Sequence, residues 1–234
     1  MSLTIADHET HVWLAAADAG EELLARLTAM LDDDERRRAA SFRFDADRRL
    51  SIVARASVRL LLSRYLSRPP HRLYFLRGPE GKPRLETGEL EFNVSHSSGR
   101  VAIAVSRGEP VGIDLEKGRT MPDLLDIAGR YFAKGEAEIV RAAAEEERVA
   151  HFFAFWTAKE AVIKAVGGGL SLDLTSFETR PSPGRTTPVQ NLGSDPRLDG
   201  WEVFAFPRGD VHVALASRRT NMPTIRTLDL SAGK

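Results

Sequence analysis

The 234-residue sequence contains no cysteine. That excludes disulfides, thiolate metal sites and a cysteine nucleophile. Net charge is also missing: 33 basic residues balance 33 acidic ones, so no whole-molecule field draws the chain to nucleic acid. The opening MSLTIADHETHVWL lacks the basic-then-apolar pattern of a signal peptide, and no apolar run is long enough to cross a bilayer. The expectation is a cytoplasmic protein with neither nucleic-acid nor membrane partners. What is present is ordinary for a globular chain, 42% hydrophobic and 28% charged. The length suffices for one large domain or two small lobes.

Hydrophobic periodicity places an opening strand at His11 to Ala16. Helices are predicted over Glu21 to Leu31, just after Asp32-Asp33-Asp34, and over Asp45 to Leu66. The last stops before Pro69-Pro70, because a residue preceding proline avoids helical backbone. Short strands follow at Leu73 to Leu76, Leu90 to Val94, Val101 to Val105 and Val111 to Glu116, with Ser95-His96-Ser97-Ser98-Gly99 as a loop. Pro122 to Tyr131 and Gly135 to Ala150 read as helices, and Pro181 to Gly200 as a loop. Trp201 to Phe206 with Val211 to Ser217 forms a hairpin, and the tail after Thr220 is an edge segment or disordered. EFNVSHSSGRVAIAVS and EVFAFPRGDVHVALAS resemble each other as strand–loop–strand units. This suggests an α+β chain of two similar lobes, 1–110 and 111–234, although ordinary hairpin composition would look alike.

From Trp156 to Val166 the chain has neither glycine nor proline and should be helical, ended by Gly167, Gly168 and Gly169. Helical spacing sets Trp156, Lys159, Glu160, Ile163 and Lys164 along one side. Glu160 and Lys164 could be a plain surface pair. In the strand before them, Asp114 and Glu116 share one face, and adjacent carboxylates repel unless a cation joins them. Asp114, Glu116 and Glu160 together would suit Mg²⁺, a hard ion that prefers oxygen donors and shares its remaining positions with phosphate. Lys82, Lys159, Lys164 and the arginines of the long helix could hold the rest of a polyphosphate. Arg77 and Lys82 flank the glycines of a turn-rich loop that could receive an anion or be only a turn. Metal plus phosphate-binding cations points to phosphoryl-type transfer.

FNVSHS (92–97), VGIDLE (111–116) and WTAKEAVIKAVGGGLSLDLTSF (156–177), with GKP at 81–83, resemble the signatures of the 4′-phosphopantetheinyl transferases of the surfactin-synthetase type. The resemblance spans roughly Arg77 to Phe177. It implies two α+β lobes related by a pseudo-twofold, with coenzyme A in the cleft between them. Mg²⁺ would be held by Asp114, Glu116 and Glu160, with Lys164 on the pyrophosphate and Lys159 supporting it. Arg77, Gly81, Lys82, Pro83, Ser95 and His96 would bind the nucleotide, and Arg48 or Arg49 its 3′-phosphate, while arginines near Arg36 to Arg38 stand where the family has lysines. Phosphopantetheine would pass from coenzyme A to a serine of an apo acyl or peptidyl carrier protein, with Glu160 or a water it orients as base, the enzyme acting as a monomer. A Mg²⁺-dependent phosphohydrolase or a non-catalytic coenzyme A binder are the alternatives.

Overall fold

The computed structural model describes residues 2–78 and 81–231; Pro79 and Glu80 of the expected anion loop lie outside them. In chain order the elements are β1 (Thr10–Ala16), α1 (Glu21–Ala29), α2 (Asp33–Ala40), α3 (Asp45–Leu66), β2 (Phe75–Arg77), β3 (Pro83–Leu85), β4 (Glu91–Ser97), β5 (Arg100–Ser106) and β6 (Gly112–Lys117). Then come α4 (Leu124–Tyr131), α5 (Lys134–Ala142), α6 (Glu145–Val166), β7 (Phe177–Glu178), β8 (Thr186–Pro188), β9 (Gln190–Asn191), β10 (Glu202–Arg208), β11 (Val211–Ser217) and β12 (Thr224–Thr227).

Two four-stranded sheets organise the chain, in the orders β12-β1-β5-β4 and β6-β11-β10-β8. Each is built from one strand, three helices of which the third has 22 residues, and a hairpin of two seven-residue strands. The two similar sequence segments are these hairpins, β4–β5 and β10–β11. The fold is therefore the expected α+β pseudo-repeat. The tail is an edge strand: β12 runs parallel to β1 and so returns to the first sheet.

Alternation along the strands builds the layers. Val12, Ala102, Ala104, Ile113, Leu115, Phe204 and Phe206 point between the sheets and form one buried cluster. The opposite face of the first sheet packs on α1 and α3. That of the second packs on α6 through Ala158, Ala161, Val162 and Ala165. Small residues on α6 let it lie close to the sheet. At Gly112 the fit leaves no room, since a Cβ there would sit 2.0 Å from the Ala161 carbonyl oxygen. Glycine is required here by close approach.

Three local expectations change. Residues 95–97 are strand, not loop, and the turn falls at Ser98 and Gly99, both in left-handed backbone. The helix expected over 135–150 breaks at Ala143 and Ala144, whose backbone is extended, and α6 begins afresh with three glutamates in its positive first turn. It ends where the glycines predict, with Gly167 left-handed and its N–H donating to the Ile163 carbonyl. The stretch 181–200 contains the short strands β8 and β9.

Candidate active site

β4 and β6 belong to different sheets, yet they lie side by side where the two sheets meet, joined by side chains. On one face of β4 every second residue is polar, Asn93, Ser95 and Ser97. The Asn93 side-chain oxygen accepts from the Ile113 N–H at 2.8 Å. Ser95 Oγ donates to Asp114 Oδ1 at 2.8 Å, and Ser97 Oγ to Glu116 Oε2 at 3.1 Å. FNVSHS is thus a row of rungs that sets β6 against β4. Sequence reading missed Asn93 and Ser97, although their period-2 spacing marks them.

α6 closes the third side. Lys164 Nζ donates to Asp114 Oδ1 at 2.6 Å and to Ser95 Oγ at 3.2 Å. Asp114, Glu116, Glu160, Lys164, Ser95, His96 and Trp156 line one open hollow of about 390 Å³. Burial pushes the carboxyls of Glu116 and Glu160 above the usual range, and the charge of Asp114 adds to the effect. Asp114 is nearly inaccessible, and its Oδ2 has no hydrogen-bond partner. Among the described residues no three acidic or histidine side chains close to metal-ligand spacing. The chemistry nonetheless fits a hard cation: three carboxylates converge, two resist ionisation beside the third, and one buried oxygen lacks a partner.

A second hollow of about 370 Å³ shares Val94, His96 and Lys164 with the first, making one continuous cleft. Its other walls include Arg38, Phe42, Arg55, Gly81, Lys82, Pro83 and Gly167. Burial lowers the His96 pKa, helped by the nearby charges of Lys164 and Arg55. An anion seated there would relieve both cations.

Several assignments need correction. Lys159 faces away from the cleft and is saturated. Its Nζ donates to the Leu174 and Phe177 carbonyls at 2.7 Å each and pairs with Glu136, also at 2.7 Å, with both side chains inaccessible. It supports the fold and cannot support a phosphate. Arg48 pairs with Asp45, and Arg49 with Glu21 and the Ala19 carbonyl, and neither lines the cleft. Arg77 is exposed on β2 outside the lining. The arginines that line the cleft are Arg38 and Arg55. Lys82 does line the cleft, but its Nζ donates to the Val111 and Lys164 carbonyls at 3.0 and 2.7 Å. It ties the loop to β6 and α6, leaving at most one N–H for a ligand. Trp156 stacks on Phe152 with ring centroids 5.8 Å apart, as a core residue would.

Carboxylates and cations thus meet in one cleft at the junction of two α+β halves. A sequence profile of the 4′-phosphopantetheinyl transferase superfamily matches residues 110–216, and one for the N-terminal part of such transferases matches residues 18–108. The 4′-phosphopantetheinyl transferase HetI of Nostoc sp. is 35% identical over 82% of this chain and 84% of its own. The transferase Sfp of Bacillus subtilis is 33% identical over 66% of this chain and 68% of its own. A coenzyme A complex of ACPS from Chronobacterium ammoniagenes aligns over 48% of this chain and 98% of its own, at 22% identity and TM-score 0.37. The chain belongs to the 4′-phosphopantetheinyl transferase family. No described helix is long and apolar enough to cross a membrane.

Proposed function

We propose that the cleft binds coenzyme A and that Asp114, Glu116 and Glu160 hold Mg²⁺ at its inner end, so that phosphopantetheine passes to a serine of an apo acyl or peptidyl carrier protein. The observation that carries this reading is that three carboxylates and Lys164 line one hollow, and that a buried oxygen of Asp114 has no partner. A family transferase lacking any of these four groups would be a candidate for a mere binder, and this chain has all four. When bound there, a divalent cation neutralises charge on the pyrophosphate oxygens.

The chain's own residues do the rest. Lys164 neutralises the same pyrophosphate from the α6 side. Arg38, Arg55 and His96 receive the outer phosphate, which lies farther along the cleft. Glu160 lines the same hollow as Asp114 and Lys164 and is positioned to accept the serine proton directly or through a water. The serine oxygen then bonds to the pantetheine-side phosphorus as the bond from that phosphorus to the bridging oxygen breaks. Adenosine 3′,5′-bisphosphate leaves with the electron pair. β4 lies in the segment 1–110 and β6 with α6 in 111–234, so one chain supplies every group and a monomer suffices.

The test is the intact mass of an apo carrier protein incubated with this protein, coenzyme A and Mg²⁺. A gain of one phosphopantetheinyl group, lost without Mg²⁺ or when the acceptor serine is alanine, is expected. Metal-dependent breakdown of coenzyme A with no carrier present would instead make the protein a hydrolase. Retention of coenzyme A with no transfer to fatty-acid, polyketide or peptide carriers would make it a binder.

A further inference from the structure

The layer between the sheets has an open end whose chemistry the transferase reading does not use. Alternation assigns the inward-facing rows as Val12–Leu14–Ala16 in β1, Ala104–Ala102–Arg100 in β5, Ile113–Leu115–Lys117 in β6 and Phe204–Phe206–Arg208 in β10. Three of these four apolar rows end in a cation: within the second sheet Lys117 and Arg208 both oppose Val211, and Arg100 of the first sheet lines the same hollow as Arg208. The carboxylate facing them is Asp210, 2.9 Å from Lys117 and 3.7 Å from Arg100. Arg208 lies over the Phe206 ring and, among the described residues, has no carboxylate partner across the mouth.

Behind this mouth is a cavity of about 180 Å³ floored by Leu14, Leu115, Val211 and Val213, with Arg100 and Arg208 at the lip. Charges at the end of a sandwich can serve simply to keep its rim solvated. That role does not call for an apolar hollow behind them, in a layer otherwise closely packed. A dry cavity of ~150 Å³ takes up benzene, so this one has room for about six or seven carbons.

We propose that the slot is a second ligand site, for a linear medium-chain carboxylate. The alkyl chain lies between the sheets and the carboxylate rests against Arg100 and Arg208. The site is separate from the coenzyme A cleft and stands whether or not the transferase reading does. The two are back to back on β6, because Leu115 faces the slot while Asp114 and Glu116 face α6. An occupant would press on the residue between two proposed metal ligands.

The experiment is calorimetric titration of the full chain with sodium butyrate, hexanoate, octanoate and decanoate below their micelle concentrations, and with 1-octanol. Methyl NMR of the same samples reports where they bind. Affinity should rise about fourfold per added methylene as far as octanoate and then flatten as the slot fills. Octanol should bind about tenfold more weakly than octanoate, since it forgoes the charge-assisted hydrogen bonds. R100Q with R208Q should abolish that difference; both side chains are exposed, so the fold is spared. Methyl shifts should centre on Leu14, Leu115, Val211 and Val213. No saturable binding, equal affinity for octanol and octanoate, or shifts centred on Val94 and Ile163 of the coenzyme A cleft would each overturn the proposal, the first leaving the cations as a solvated rim.

Discussion

Gly112→Ala tests how the site is assembled, because it adds one methyl group at the point where α6 meets β6. The new Cβ would lie 2.0 Å from the Ala161 carbonyl oxygen, 2.4 Å from the Ala165 nitrogen and 2.9 Å from the Ala165 Cβ. Two of these three are helix backbone and cannot swing aside, so α6 must withdraw by about 1 Å to reach even a tight contact. Overpacking of this kind costs about 1–3 kcal/mol. The residues next to Ala161 and Ala165 are Glu160 and Lys164, so the same movement draws them from Asp114. It also stretches the 2.6 Å contact between Lys164 and Asp114 and the 2.7 Å tether from Lys82 to the Lys164 carbonyl. A misplacement of ~1 Å can lower a rate about 10²-fold. The expected variant is folded at 15 °C, moderately less stable in urea, and about 100-fold slower in carrier-protein loading under saturating coenzyme A. A variant with wild-type stability and rate would refute the view that β6 and α6 are in contact at Gly112. A variant that loses activity only in proportion to its unfolded fraction would refute the positional link.

Three further outcomes follow from the geometry. Lys159→Met strands the inaccessible Glu136 and should cost about 3–5 kcal/mol in urea unfolding, yet leave the KM for coenzyme A of the folded enzyme unchanged; a tenfold rise in that KM would restore Lys159 to the phosphate site. Arg55→Gln should raise the KM for coenzyme A about tenfold or more, as loss of a charge-assisted hydrogen bond would, whereas Arg49→Gln should not; equal effects would mean that the arginine facing the cleft has been misidentified. Glu116 and Glu160 have folded-state pKa values above the ordinary 4.5, so the metal-free native protein holds more protons than the unfolded chain between 4.5 and those values. Stability should therefore fall as pH rises through that window. Glu160→Gln should weaken this dependence and raise the metal-free Tm at pH 7 while eliminating transfer, and a lower Tm with an unchanged pH slope would contradict the repulsion inferred from the cluster.

Much of the architecture is local and therefore readable. α3 and the end of α6 are long runs free of glycine and proline, and Gly167 can take the left-handed cap that stops the second. The hairpins β4–β5 and β10–β11 repeat in sequence because each alternates one apolar row inward. Asp114, Glu116, Glu160 and Lys164 are also legible, since strand and helix periods alone give each pair a common face. The break at Ala143 and Ala144 was not legible: both residues favour helix, and the bend lies where α5 packs with α4 and α6 in one cluster.

The remaining decisions belong to the tertiary structure. Lys159 and Lys164 are five residues apart, about 140° around a helix. Which of them meets the carboxylates depends on how α6 is rotated over the second sheet, and Gly112 sets that rotation by admitting Ala161 and Ala165. The arginines of α3 pose the same problem. Arg49 goes to Glu21, Arg59 to Asp32 and Glu35, and Arg55 to the cleft, though nothing in their spacing ranks them. The sequence by itself determined the long helices, the paired hairpins, the pseudo-repeat and the carboxylates, because those depend on neighbours one to four residues away. Which cations reach them, and that β4 stitches to β6 through Asn93, Ser95 and Ser97, was decided only when distant segments packed, because burial and partner choice are properties of the surroundings.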